Sequence, residues 1–125
     1  MDRLLYLCAA VAGATGVALG AFAGHGLESQ LTPDMLAVFE TGVRYQMYHV
    51  FALFAAAWGL ARWQHRAFAW GGGLFVAGVV IFCGSLYALA LTGTRTFGML
   101  TPVGGLAFLA GWLCLAWGAA VKMRP

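Results

Sequence analysis

Four long apolar stretches occupy almost the whole of this 125-residue chain, at Leu4–Ala23, Val43–Ala61, Phe68–Leu91 and Met99–Val121. Crossing the hydrocarbon core of a bilayer as a helix takes about 20 predominantly apolar residues. A soluble domain has no means of hiding so much apolar surface, because each of its helices needs a polar face. Only 9% of the residues are charged and 62% are hydrophobic, too little polar surface to coat a soluble fold of this size. The expected fold is an all-α integral membrane protein: one four-helix antiparallel transmembrane bundle over residues 1–125, with helices near 4–23, 33–61, 68–91 and 99–121.

The net charge of +3 has an orienting pattern. Arg3, Arg62, Arg66, Lys122 and Arg124 gather on one side of such a bundle. Arg44 and Arg95 fall on the other, together with Glu28, Asp34 and Glu40. Lys and Arg concentrate in cytoplasmic loops, so both termini and the 62–66 loop are expected on the cytoplasmic face of the cell (inner) membrane. No basic patch forms along one element, which argues against nucleic-acid binding. The first stretch also has a signal-peptide look, with Arg3 before the apolar run and Ala21-Phe22-Ala23 after it. Its run is too long for a typical signal h-region, and a retained helix is expected.

Helix one carries Gly16, Gly20 and Gly24 at four-residue spacing, a pattern that lets a neighbouring backbone approach closely in lipid. Thr32-Pro33-Asp34 reads as a helix start: a capping hydroxyl, a proline in the first turn and an acid near the positive dipole end. The helix it opens begins as an amphipathic extension, with Asp34, Glu40, Thr41, Arg44 and Tyr48 on one arc and Met35, Phe39, Val43 and Val50 opposite. Glu40 and Arg44 are spaced as an i,i+4 ion pair, and Arg44 and Arg95 have Glu28 and Glu40 as potential partners. Deeper in, Tyr45, His49, Ala52 and Ala56 share a face suited to the bundle interior, while Phe51, Phe54 and Trp58 suit lipid. Gly71-Gly72-Gly73 opens the third stretch, and Thr101-Pro102 gives the fourth a start like that of Thr32-Pro33.

An ionisable side chain within a span is costly and often marks a pathway, so His49 is the sharpest candidate. The candidate intramembrane polar cluster is His25, Tyr45, Gln46, His49, Ser85 and Tyr87, and His49 is expected to bond a hydroxyl or carbonyl across the bundle, for example that of Tyr87 or Ser85. His65, between Arg62 and Arg66, reads as a contact to lipid headgroups. Cys8, Cys83 and Cys114 lie in separate spans without metal-ligand spacing and read as small hydrophobes.

Four motifs occur in order: Gly20-Ala21-Phe22-Ala23-Gly24-His25-Gly26-Leu27, Tyr45-Gln46-Met47-Tyr48-His49, Gly84-Ser85-Leu86-Tyr87-Ala88-Leu89 and Leu100-Thr101-Pro102-Val103-Gly104-Gly105. Together they resemble the family known as domain of unknown function 423, which takes in YgdD-like and transmembrane protein 256-like small membrane proteins. Where that family usually reads Gly-Ala-His, this chain has Ala23-Gly24-His25. The resemblance implies a small multi-pass membrane protein and brings no catalytic residues with it.

Three functions fit these residues. The first is a non-catalytic packing, assembly or accessory component of the membrane, not an enzyme, with no cofactor. Its partners would be the lipid bilayer and either further copies of itself as a homo-oligomer or a larger membrane complex. The second is an oligomeric transporter or channel for small solutes or protons, with His49, Gln46 and Tyr45 lining its path. The third is a redox subunit in which His25 and His49 ligate haem.

Overall fold

The structure, a computed structural model, describes residues 1–122. Arg124, counted above with the basic residues of one end, lies outside them. Every regular element among the described residues is helical. Helix α1 (Asp2–Phe22) runs on into a wider π turn (Ala23–Leu27). Helix α2 spans Pro33–Trp63. Helix α3 (Arg66–Gly78), a second π turn (Val79–Cys83) and α4 (Gly84–Thr92) form one uninterrupted rod. A short 3-10 turn (Arg95–Met99) then leads into α5 (Thr101–Lys122).

The punctuation is local chemistry. Thr32 is extended and its hydroxyl accepts from the Met35 N–H at 3.3 Å, with Pro33 next in line, so α2 starts as its sequence requires. It stops at Gln64, whose φ of 50° is left-handed and whose N–H reaches the Leu60 carbonyl at 2.9 Å. His65 then caps α3 by accepting from the Ala67 N–H at 3.3 Å. Gly93 ends the rod at a φ of 69°, a conformation costly for any residue with a Cβ. The fourth start differs from expectation. Thr101 is already helical, and its hydroxyl meets Ser85 at 2.8 Å instead of capping α5.

Three of these runs, Asp2–Leu27, Arg66–Thr92 and Arg95–Lys122, are long and apolar enough to cross a membrane. Helix α2 carries the polar residues and occupies the protected place, packing against α1, the α3–α4 rod and α5. At 31 residues it is about 46 Å long, well beyond a hydrocarbon core of about 30 Å. Its overhang is the amphipathic extension. Phe39 is buried there with Ala23, Leu27 and Ala90, while Asp34, Glu40 and Arg44 stay exposed. The ion pairs read from spacing do not close. Met1 ammonium to Asp2, at 3.6 Å, is the one salt bridge among the described residues.

Helices α3 and α5 pack by a register visible only once they are laid side by side. Phe68, Phe75 and Phe82 recur at every seventh residue, as do Gly104, Gly111 and Gly118. Each aromatic faces one glycine. A Cβ on Gly118 would meet the Phe68 ring at 3.0 Å, one on Gly111 the Phe75 ring at 2.6 Å, and one on Gly104 the Phe82 Cα at 2.7 Å. Knobs also run the other way, Leu115 onto Gly71 and Phe108 onto Gly78. In lipid, where apolar side chains gain little by leaving their solvent, such dispersion contacts act beside interhelical hydrogen bonds in holding helices together. Leu5 on Gly72 and Phe68 on Gly59 bring the start of α1, the α2–α3 turn and the end of α5 to one end of the bundle.

The glycine row on α1 is used only in part. Gly16 is buried against Met47 and a Cβ on Gly20 would stand 3.4 Å from Val43, but nothing lies within 4 Å of a Cβ on Gly24. A four-residue repeat on a 3.6-residue helix drifts by about 40° per step, so Gly24 has turned off the face that Gly16 presents. Gly16→Leu is therefore expected to lower stability in detergent by about 1–3 kcal/mol, and Gly24→Leu to leave it unchanged. Thermal unfolding of the two variants checks this, and equal effects would refute the reading.

Candidate functional site

The polar side chains inside the bundle form three separate ties, each joining different helices. Gln46, buried on α2, makes the first. Its Nε2 donates to the Ala12 carbonyl at 2.7 Å and to the Thr15 hydroxyl at 3.0 Å, and its Oε1 accepts from the Tyr87 hydroxyl at 2.8 Å. The donors run in one direction, because Thr15 passes its own hydrogen back to the Val11 carbonyl at 2.8 Å. One amide thus joins α1, α2 and α4. Gly16 makes this possible: a Cβ there would stand 3.4 Å from the Gln46 Nε2 and crowd the approach.

His49 makes the second tie. It is 5% exposed and points inward, as its helical face predicted. Its partners are not the expected ones. Nδ1 lies 2.6 Å from the Tyr45 carbonyl one turn back, which assigns the ring hydrogen to Nδ1. Nε2 then accepts from the Trp112 indole N–H on α5 at 3.3 Å. The ring lies flat on Phe108, with centroids 3.5 Å apart and planes 7° from parallel, and Phe75 closes a further side at 5.6 Å. Ser85 makes the third tie, bonding Thr101 at 2.8 Å and donating to the Phe82 carbonyl at 2.9 Å. No buried side-chain nitrogen or oxygen among the described residues is left without a partner.

The predicted cluster is thus divided. Gln46 and Tyr87 meet; Ser85 and Tyr87 do not bond to His49. Tyr45 is 38% exposed, its ring lies on Phe82 at 4.8 Å and 6.4 Å from the His49 ring, and its hydrogen bond to His49 comes from the backbone carbonyl. His25 is exposed on the π turn that ends α1. Gly20 already faces Val43, and His25 lies a turn further along, away from His49. The paired-histidine haem reading therefore loses its geometry. Among the described residues no group of three His, Cys, Asp or Glu side chains is placed to hold a metal ion. Thr15, Thr101 and Trp112 are the partners that sequence reasoning missed.

Two grooves open on the flanks of the ties. One of about 470 Å³ runs between α1 and the rod, with Gln46 and Leu53 among its lining residues. The other, about 730 Å³, lies between α2 and α5, with Tyr45, Tyr48, His49, Phe82, Phe108 and Trp112 among its lining residues.

His49→Leu is expected to lower the unfolding temperature, since it strips the Trp112 N–H of its acceptor, a loss of about 0.6 and at most about 1.7 kcal/mol for such bonds in membranes. His49→Gln, which still offers an acceptor, should retain most of the stability. Identical melting of the parent and both variants in detergent would count against the tie.

Helices that bury their few polar groups against one another and leave a mostly apolar outer surface make this an all-α, multi-pass integral membrane protein, with the bilayer as its surroundings. It belongs to the DUF423 family, described as a protein of unknown function, which matches residues 19–105. It is 42% identical over 113 residues to a UPF0382 membrane protein of Staphylococcus haemolyticus, covering 90% of this chain and 92% of that protein. The UPF0382 inner membrane protein YgdD of Escherichia coli is 38% identical over 94% of this chain and 90% of its own length. YwdK of Bacillus subtilis, a UPF0382 membrane protein, is 38% identical over 96% and 98%. No solved structure matches the chain.

Proposed function

We propose that this protein is a non-catalytic component of the cell (inner) membrane that packs against other membrane components and supports their assembly. One observation carries the reading: the interior polar side chains Gln46, His49, Ser85 and Tyr87 are each engaged with another helix of the same chain. A transporter would need such groups free along a polar path, whereas both grooves beside them are lined mainly by Leu, Val and aromatic side chains. The outer surface supports packing, since Gly73 and Gly84 leave open space where a further helix backbone could lie close. Purification in mild detergent, with the co-purifying membrane proteins identified, tests it. A defined partner, or a stable assembly of copies, is the expected result. A lone monomer that moves a solute or protons across liposomes would overturn it in favour of the transport reading.

The orientation proposed is cytoplasmic for the end that carries Arg3, Arg62, Arg66 and Lys122. The relative named as an inner membrane protein in Escherichia coli supports the compartment. Labelling a cysteine placed at Gln64, in a background lacking the native cysteines, should require a reagent that crosses the membrane. Labelling by an impermeant reagent from outside intact cells would reverse the assignment.

A further inference from the structure

We propose that the basic end of the bundle holds one anionic phospholipid, seated between the start of α3 and the end of α5. A groove of about 400 Å³ lies there, with His65 at its mouth, Trp70 and Trp117 along its walls, and Leu113 and Cys114 further in. Phe68 rests against Gly118, so Arg66, which opens α3, and Lys122, in the last turn of α5, stand at the same end of this helix pair, beyond the lining of the groove itself. Arg62 lies near the end of α2, just across the α2–α3 turn from Arg66.

Polarity changes along this groove as it does along a lipid. At its mouth, His65 accepts the Ala67 N–H on Nδ1, so the neutral ring carries its hydrogen on Nε2 as a donor. Arg66 and Lys122 are exposed, and neither is in an ion pair among the described residues. The acidic side chain at this end is Asp2, already engaged by the Met1 ammonium; Glu28, Asp34 and Glu40 sit at the opposite end. A phosphate offers these donors charged acceptor oxygens, and the arginine fork suits it especially. Further in, the walls are two indoles, 69% and 64% exposed, that face hydrocarbon and match an acyl chain. A free phosphate would use only the mouth. A zwitterionic lipid would fill the groove but leave the cations with less negative charge to meet.

The experiment places the full-length protein in detergent with lipids brominated on their acyl chains and reads tryptophan quenching. Brominated phosphatidylglycerol should quench at lower concentration than brominated phosphatidylcholine, by about fivefold for each cation engaged. Arg66→Gln with Lys122→Gln should abolish that preference, and Arg95→Gln, at the opposite end, should keep it. Arg66→Lys, which preserves charge and helix, should retain most of it. Equal quenching by the two lipids in the parent would overturn the proposal without reference to any variant. So would a preference untouched by the double substitution, one lost equally in Arg95→Gln, or displacement of the lipid by inorganic phosphate alone.

Discussion

Gly104→Leu is expected to prevent the folded bundle from accumulating, and Gly104→Ala to lower its unfolding temperature in detergent. A Cβ on Gly104 would meet the Phe82 Cα at 2.7 Å and its Cβ at the same distance, with the Phe82 backbone nitrogen also in the way. These are mostly backbone atoms, and they belong to the π turn that joins α3 to α4, so relief requires the whole rod to move away from α5. Overpacking of this kind costs about 1–3 kcal/mol even when neighbours adjust. Gly73 is the natural control, since nothing lies within 4 Å of a Cβ there. Gly73→Ala should raise stability by up to about 1 kcal/mol through helix propensity alone. If the two alanine variants melt alike, α3 and α5 do not meet backbone to backbone at Phe82.

Gln46→Leu should have the next largest effect, about 1–3 kcal/mol, because one substitution leaves the Tyr87 hydroxyl without its acceptor and removes both bonds to α1. Tyr87→Phe should cost less, since Gln46 keeps its bonds to Ala12 and Thr15. Unfolding in detergent followed by circular dichroism would rank the two. The reverse order would contradict this account, because Gln46→Leu breaks the tie to α4 as well as both ties to α1.

Much of this architecture was legible in the residues. The apolar stretches, the Thr32 cap and the inward face of His49 follow from hydropathy and helical periodicity, which are local properties. The unforeseen parts depend on which helices meet. Trp112 lies within an apolar run and reads as lipid-facing; it becomes the partner of His49 only because α5 crosses α2 at that height. The spacing of Gly16, Gly20 and Gly24 advertised a seam, yet two steps of angular drift take Gly24 out of it. The register of Phe68, Phe75 and Phe82 against Gly104, Gly111 and Gly118 was open to reading, since both sets repeat every seventh residue. Neither helix shows it by itself, because the pattern is complementary between helices and not within one.

The central claim is that the interior polar groups hold the helices together, and a double-mutant cycle on Gln46 and Tyr87 tests it most directly. Unfolding free energies would be measured in one detergent for the parent, Gln46→Leu, Tyr87→Phe and the double variant. The account predicts a coupling of about 0.6 kcal/mol, and up to about 1.7, between the two sites, with the double variant less destabilised than the sum of the singles. Strict additivity of the two substitutions would contradict it.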